Sequence, residues 1–153
     1  MKTLLKSGLV ALALGTTVAA PVFADEAAIT ARKSLMQLYA FNLGQLGAMA
    51  KGEVDYNADA AQAAADNLLA AASMNQMAMW PQGSDNESMP GKTTALPVIW
   101  TTFPAISEKG QALVDAATQM AAAAGTGVDG IRGAIGAVGG SCGGCHKTYR
   151  ASN

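Results

Sequence analysis

The stretch Cys142-Gly143-Gly144-Cys145-His146 holds both cysteines and the single histidine of the 153-residue chain. On a helix, positions i, i+3 and i+4 lie on one face, so two thiols and an imidazole can reach one flat surface. A C-x-x-C-H run is the attachment signature of c-type haem, in which the thiols form thioethers and the histidine becomes an axial iron ligand. The stretch therefore predicts one haem c, held by Cys142 and Cys145 with His146 on the iron.

Three other uses of these residues stay open at the level of the sequence. A thioredoxin-like redox pair belongs near a βαβ pattern, and no strand-like pattern precedes this pair. A structural zinc site usually takes four Cys or His ligands, whereas the chain has two cysteines and one histidine. A plain disulfide would leave His146 without a role.

The N-terminal residues have the pattern of a secretory signal peptide. Lys2 and Lys6 provide the positive region, residues 9–14 lie in a short apolar core, and Val22-Phe23-Ala24 resembles a cleavage site. We expect cleavage after Ala24, so that residues 1–24 are removed and residues 25–153 form one domain. Because c-type haem is attached outside the bacterial cytoplasm, the expected location is the periplasm.

The charge and hydropathy of the remaining chain exclude two classes of partner. Removal of Lys2 and Lys6 leaves 8 basic and 11 acidic residues, a net charge of −3. Nucleic-acid binding favours a concentrated basic face, which this balance does not suggest. No second hydrophobic segment is long enough to span a membrane.

Four helical patterns and no convincing strand predict an all-α fold, an antiparallel four-helix bundle. Each pattern repeats apolar residues in steps of three and four, which is typical of a helix packed in a bundle. One long connection from Trp80 to about residue 101, rich in Pro and Gly, separates the second and third helices. The expected helices span residues 26–50, 57–79, 102–124 and 128–150.

In the fourth helix, the two cysteines continue the apolar pattern. The stripe predicted to face the core consists of Val128, Ile131, Ile135, Val138, Cys142, Cys145 and Tyr149. Because both cysteines belong to this stripe, we expect the haem to lie inside the bundle. The helix also contains seven glycines, each costing roughly 1 kcal/mol against alanine. Two interpretations remain open: the glycines admit a bulky macrocycle and a neighbouring helix, or the segment is partly irregular.

The first helix carries an Arg32-Lys33-Ser34-Leu35-Met36 run, and Lys-Thr-Tyr-Arg follows the haem-attachment stretch. With the signal peptide, the four helices and the C-terminal position of that stretch, these features resemble the class II c-type cytochromes, and within them cytochrome c′. The resemblance implies a four-helix bundle with one haem c, a homodimer packed through the first two helices, and binding of NO and CO. A sister branch, the low-spin c-556 type, uses a methionine of the first helix as sixth iron ligand.

The same resemblance implies roles for three further residues. Met36 takes the distal position, where a thioether can bind iron or pack over it as an apolar plug, unless it is an ordinary core methionine. Arg32 would contact a haem propionate, and a solvated surface arginine is the alternative. Arg150 would lie near the proximal pocket, although a cation is also favoured at a helix C-terminus by the dipole alone.

The expected function is a periplasmic haem protein that binds NO and CO, and no residue pattern indicates a turnover enzyme. One alternative is a six-coordinate Met/His electron carrier with a periplasmic redox partner, and another is a structural module stapled by haem. Four methionines near the long connection could also bind Cu(I), although their spacing is irregular: Met74, Met77, Met79 and Met89.

Overall fold

The computed structural model describes residues 22–152, with side chains from residue 26 onward. The signal-peptide prediction falls almost entirely on residues 1–21, which lie outside the described residues. The helices are α1 (Val22–Lys51), α2 (Ala58–Ala72), α3 (Val98–Thr101), α4 (Phe103–Ala123) and α5 (Val128–Tyr149). Within the described part of the chain, no helix is long and apolar enough to cross a membrane.

The four long helices form a closed ring in which α1 packs on α2, α2 on α4, α4 on α5, and α5 on α1. This arrangement confirms the predicted all-α four-helix bundle. Its core is closely packed because α2 contributes mainly alanines, and small side chains let neighbouring helices approach. Fully buried residues from all four helices meet there: Leu46, Ala61, Ala65, Leu68, Ala117, Met120, Ile131 and Val138.

The boundary predictions held at most ends but failed after α2 and within the long connection. The second helix was expected to reach Met79 and instead ends at Ala72, where Ser73 caps it. Local bonds compete with the helix there, since Asn75 Oδ1 accepts from Met77 N at 3.1 Å and residues 77–79 form a 3₁₀ turn. The connection also contains α3, which begins directly after Pro97.

The apolar stripe of α1 agrees only in part with the one that the spacing predicts, which consists of Ile29, Arg32, Met36, Tyr39, Leu43, Leu46 and Ala50. Ile29, Arg32, Tyr39 and Leu46 are buried as predicted, and Leu43 and Ala50 are partly buried. Leu35, Asn42 and Met49 are buried as well. Met36 is 37% exposed and lies at the edge of the bundle. The prediction that Met36 belongs to the main stripe was therefore wrong, because Leu35 takes that place.

Helix α5 is continuous despite its glycines, so the interpretation that it is partly irregular was wrong. The glycine at position 130 is explained by the close approach of the end of α4. A Cβ on Gly130 would lie 2.3 Å from the Ala123 carbonyl oxygen. After α5, Arg150 is extended and pairs with Ala95 in an isolated antiparallel bridge. This bridge joins the end of α5 to the long connection.

Candidate functional site

Cys142, Cys145 and His146 lie on the last two turns of α5, and all three are half-buried. Both cysteines are free thiols. Because the helix is regular there, the three side chains share one face, as the i, i+3, i+4 spacing requires. The donor set and its geometry fit covalent attachment of one haem, with the thiols as attachment points and the imidazole as iron ligand.

The electrostatic environment favours this use over a redox-active thiol pair. Burial raises the pKa of Cys142 and of Cys145, with the charge of Lys109 opposing the effect at Cys145. Reactive thiols of the thioredoxin type need a lowered pKa. Burial, followed by the positive charge of Arg150, lowers the pKa of His146, which favours the neutral imidazole that binds metal.

The other two alternatives also find little support in the described residues. The thiols are free, so no disulfide is formed between them. Among residues 22–152, no three His, Cys, Asp or Glu side chains converge on a point that could hold a metal ion. Haem remains the group that these residues fit.

Helix packing does not fill the space beside several glycines near the attachment stretch. Gly136, Gly139, Gly140 and Gly143 are exposed, and a Cβ added at any of them would meet no atom within 4 Å. A groove between α1 and α5 borders Gly139; small and apolar residues line it together with Lys51 and Glu53, and its lining includes none of the three attachment residues. Close helix packing explains Gly130 alone in this helix, and the others border open space.

Two observations indicate the register of α1 against α5. Arg132 Nε donates to the Ala50 carbonyl at 2.8 Å, and Gly47 faces Ile135, whose Cδ1 would lie 3.8 Å from a Cβ added at Gly47. Both helices rise 1.5 Å per residue and run antiparallel. A residue one position earlier in α1 therefore lies level with a residue one position later in α5.

Continuing this register places the predicted residues of α1 beside the attachment stretch. Cys142 falls near the level of Tyr39, and its charge indeed adds to the burial that raises the pKa of Tyr39. Extrapolated over the remaining turns, the register puts Met36 near the level of His146 and Arg32 near that of Arg150. Met36 is 37% exposed, so it is not a fully buried core methionine.

One of the two uses considered for Arg32 is contradicted by its placement. Its side chain is 3% exposed, so it is not a solvated surface arginine. Its guanidinium donates to the long connection, at Met79, Ser84 and Thr93. Arg150 is exposed just beyond α5, and its charge acts on His146.

A second apolar cluster borders the site, and the sequence did not point to it. Cys145 packs against buried Ala95, Ile99 and Tyr149, with Trp80 among the partly buried members. The sequence feature that could have indicated this cluster is the presence of both tryptophans of the chain in the long connection. Large aromatic side chains usually pack against other apolar groups.

Comparisons with known proteins agree on one family. The family model described as Cytochrome C′ matches residues 27–150. Cytochrome c-554 of Cereibacter sphaeroides is 42% identical over 131 residues, 82% of this chain and 93% of the relative. The solved cytochrome c′ from Rhodobacter Spheriodes is 34% identical with a TM-score of 0.81, covering 84% of this chain and 98% of that chain. A ferrous cytochrome c′ variant from Alcaligenes xylosoxidans with bound NO is 29% identical with a TM-score of 0.72, covering 84% and 97%.

Proposed function

The chain belongs to the cytochrome c′ family, and we propose that it is a periplasmic single-haem cytochrome that binds NO and CO in its reduced state. The observation that carries the proposal is the placement of Cys142, Cys145 and His146 on one face of α5. The extrapolated register, which puts Met36 near the level of His146, supports it.

Haem would supply an iron that can bind a small gas molecule or carry an electron. Cys142 and Cys145 would hold the macrocycle by covalent bonds, and the neutral imidazole of His146 would bind the metal. Met36 would lie near the iron with a flexible, unbranched side chain that carries no hydrogen-bond donor.

This chemistry favours NO over O₂. A distal donor is one of the features that stabilise bound O₂, and Met36 offers none. NO binding needs no such donor, and a relative of this fold has been solved with NO bound. The exposed Arg150, whose charge acts on His146, is placed to influence ligand binding on the His146 side.

A second candidate is an electron carrier with Met36 as sixth ligand, passing electrons to a periplasmic redox partner. The thioether of Met36 at the axial level of His146 favours it, because Met/His pairs occur in electron-transfer cytochromes. The relatives carry two names, cytochrome c-554 and cytochrome c′, so membership of the family does not choose between the candidates.

Optical spectra of the holoprotein and of Met36→Leu test both candidates. For the gas-binding protein, we expect a high-spin ferric spectrum that Met36→Leu preserves, an NO complex and a weaker CO complex of the reduced form, and no stable O₂ complex. Leucine keeps the apolar volume and removes the sulfur, so a change from low-spin to high-spin on substitution would identify Met36 as a ligand. A reduced protein inert to NO would refute gas binding.

The location and the assembly complete the proposal. Export rests on the signal-peptide pattern of residues 1–24. Assembly as a homodimer through α1 and α2 is supported by exposed apolar side chains on α1, Leu38 and Phe41, which are 52% and 65% exposed.

A further inference from the structure

Arg32 uses most of its hydrogen-bonding capacity inside the protein. A guanidinium has five N–H donors, and four bonds leave it towards the long connection. Nη1 donates to Met79 O at 3.2 Å and to Ser84 Oγ at 2.7 Å. Nη2 donates to Ser84 O and, at 2.9 Å, to Thr93 Oγ1. Most of the side chain's donors are therefore directed at residues of this connection.

The surroundings stabilise this buried cation in place. The guanidinium carbon lies 4.7 Å from the centre of the Trp80 ring, a cation–π geometry. Burial lowers the pKa of Arg32, and the buried carboxylate of Asp85 acts in the opposite direction. A buried charge costs several kcal/mol unless it is paired and hydrogen-bonded. The buried position of Arg32 therefore depends on its partners in the long connection, and the conformation of that connection depends on Arg32.

The segment that Arg32 holds is bonded in turn to the end of α5. Thr93 Oγ1 also accepts from Ala95 N at 3.1 Å. Leu96 N donates to Tyr149 O at 3.0 Å, and Ala151 N donates to Thr94 O at 2.8 Å. These bonds begin three residues beyond His146.

The same segment forms the wall beside Cys145. Trp80, which stacks under Arg32, accepts at its carbonyl from Trp100 Nε1 at 3.1 Å. Both tryptophans belong to the apolar cluster that includes Tyr149 and Cys145. A continuous set of contacts therefore runs from Arg32 on α1 to the attachment stretch on α5.

We propose that Arg32 is a positioning residue that fastens the 79–97 segment over the end of α5 and so shields the Cys145 side of the haem site from water. The shielding role rests on the proposed haem attachment, whereas the fastening role does not. In this role Arg32 acts through the geometry of its four hydrogen bonds more than through its charge.

Amide hydrogen exchange of the holoprotein, compared with Arg32→Lys and Arg32→Met, tests the fastening. Lysine keeps the charge but cannot make four forked bonds. We expect both variants to speed exchange of the Leu96 and Ala151 amides by about tenfold or more, while buried Ala65 in α2 exchanges as before. Lys33→Met removes an exposed charge from the same helix and should change neither amide.

The reduction potential tests the shielding with the same variants. Greater access of water favours the more highly charged ferric state, so both Arg32→Lys and Arg32→Met should lower the potential. Native exchange and native potential in Arg32→Lys would overturn the proposal in favour of a charge role.

If Arg32→Met fails to fold, Thr93→Val provides a second test because it removes one of the four hydrogen bonds. It should speed hydrogen exchange of the Leu96 and Ala151 amides to a smaller degree. Unchanged exchange of both amides in this variant would also refute the fastening.

Discussion

At the scale of single residues, the buried carboxylate of Asp85 organises part of the long connection. Asp85 is 6% exposed and accepts from Glu87 N at 2.9 Å, Ser88 N at 2.8 Å and Ser88 Oγ at 2.9 Å. The Ser88 backbone bond, with further bonds from neighbouring groups, lowers the pKa of Asp85 despite its burial. The ionised carboxylate is therefore the form that the folded protein stabilises.

We expect Asp85→Asn to destabilise the holoprotein at neutral pH by about 1 kcal/mol, the usual worth of such bonds. Because the folded pKa is depressed, the stabilisation is complete above the unfolded pKa and is lost as the pH falls through the folded pKa. Urea unfolding at pH 7 and near pH 3 should show the difference between wild type and variant shrinking in acid.

Asp115→Asn is the matched control for this substitution, since Asp115 is exposed and accepts one bond from Gln111 at 2.8 Å. It should change stability little at either pH. An Asp85→Asn difference that grew in acid would contradict the assigned role of the carboxylate.

At the scale of elements, α5 combines two kinds of glycine. Gly130 lies where the end of α4 comes close, and a Cβ there would meet Ala123 O at 2.3 Å and Thr126 Oγ1 at 2.7 Å. Gly133 is exposed, and a Cβ there would meet nothing within 4 Å. The helix thus holds one glycine that packing requires, whereas Gly133 has no packing role and lowers the helical propensity.

Alanine substitutions at these two positions should have opposite effects. Gly133→Ala should stabilise the holoprotein by about 1 kcal/mol through helix propensity. Gly130→Ala should destabilise it by about 1–3 kcal/mol, the usual cost of overpacking. Urea unfolding midpoints measure both, and stabilisation by Gly130→Ala would show that α4 and α5 do not approach closely at this point.

At the scale of the whole molecule, exposed apolar residues on α1 mark a surface suited to a second copy of the chain. Phe41 is 65% exposed although it lies in the middle of the helix. In a two-fold dimer each interface residue occurs twice, so one substitution changes the interface at two places.

We expect the holoprotein to sediment as a dimer and Phe41→Glu to raise the dissociation constant at least about tenfold, because burying each phenylalanine contributes about 1.5–3 kcal/mol. Phe103→Glu on α4, where Phe103 is 46% exposed, serves as the control and should leave assembly unchanged. Equal weakening of the dimer by both substitutions would show that the interface is not centred on Phe41. A monomeric wild-type protein would show that this surface does not bind a second copy.

The bundle and the attachment stretch could be predicted because both depend on local spacing. Steps of three and four residues identify helices wherever they occur, and Cys142, Cys145 and His146 share a face by their spacing alone. Helix ends were less predictable, as Ala72 shows, because turn bonds from side chains such as Asn75 compete with helical bonds.

Only the tertiary structure decided what Arg32 and Met36 contact or face. The partners of Arg32 lie 47 to 61 residues away in the sequence, and no local periodicity encodes such pairings. For Met36, the register of α1 against α5 is what matters, and the Arg132–Ala50 hydrogen bond that indicates it joins residues 82 positions apart. Local rules determine which helices form and which chemistry they carry, whereas the packing of distant segments determines which side chains meet.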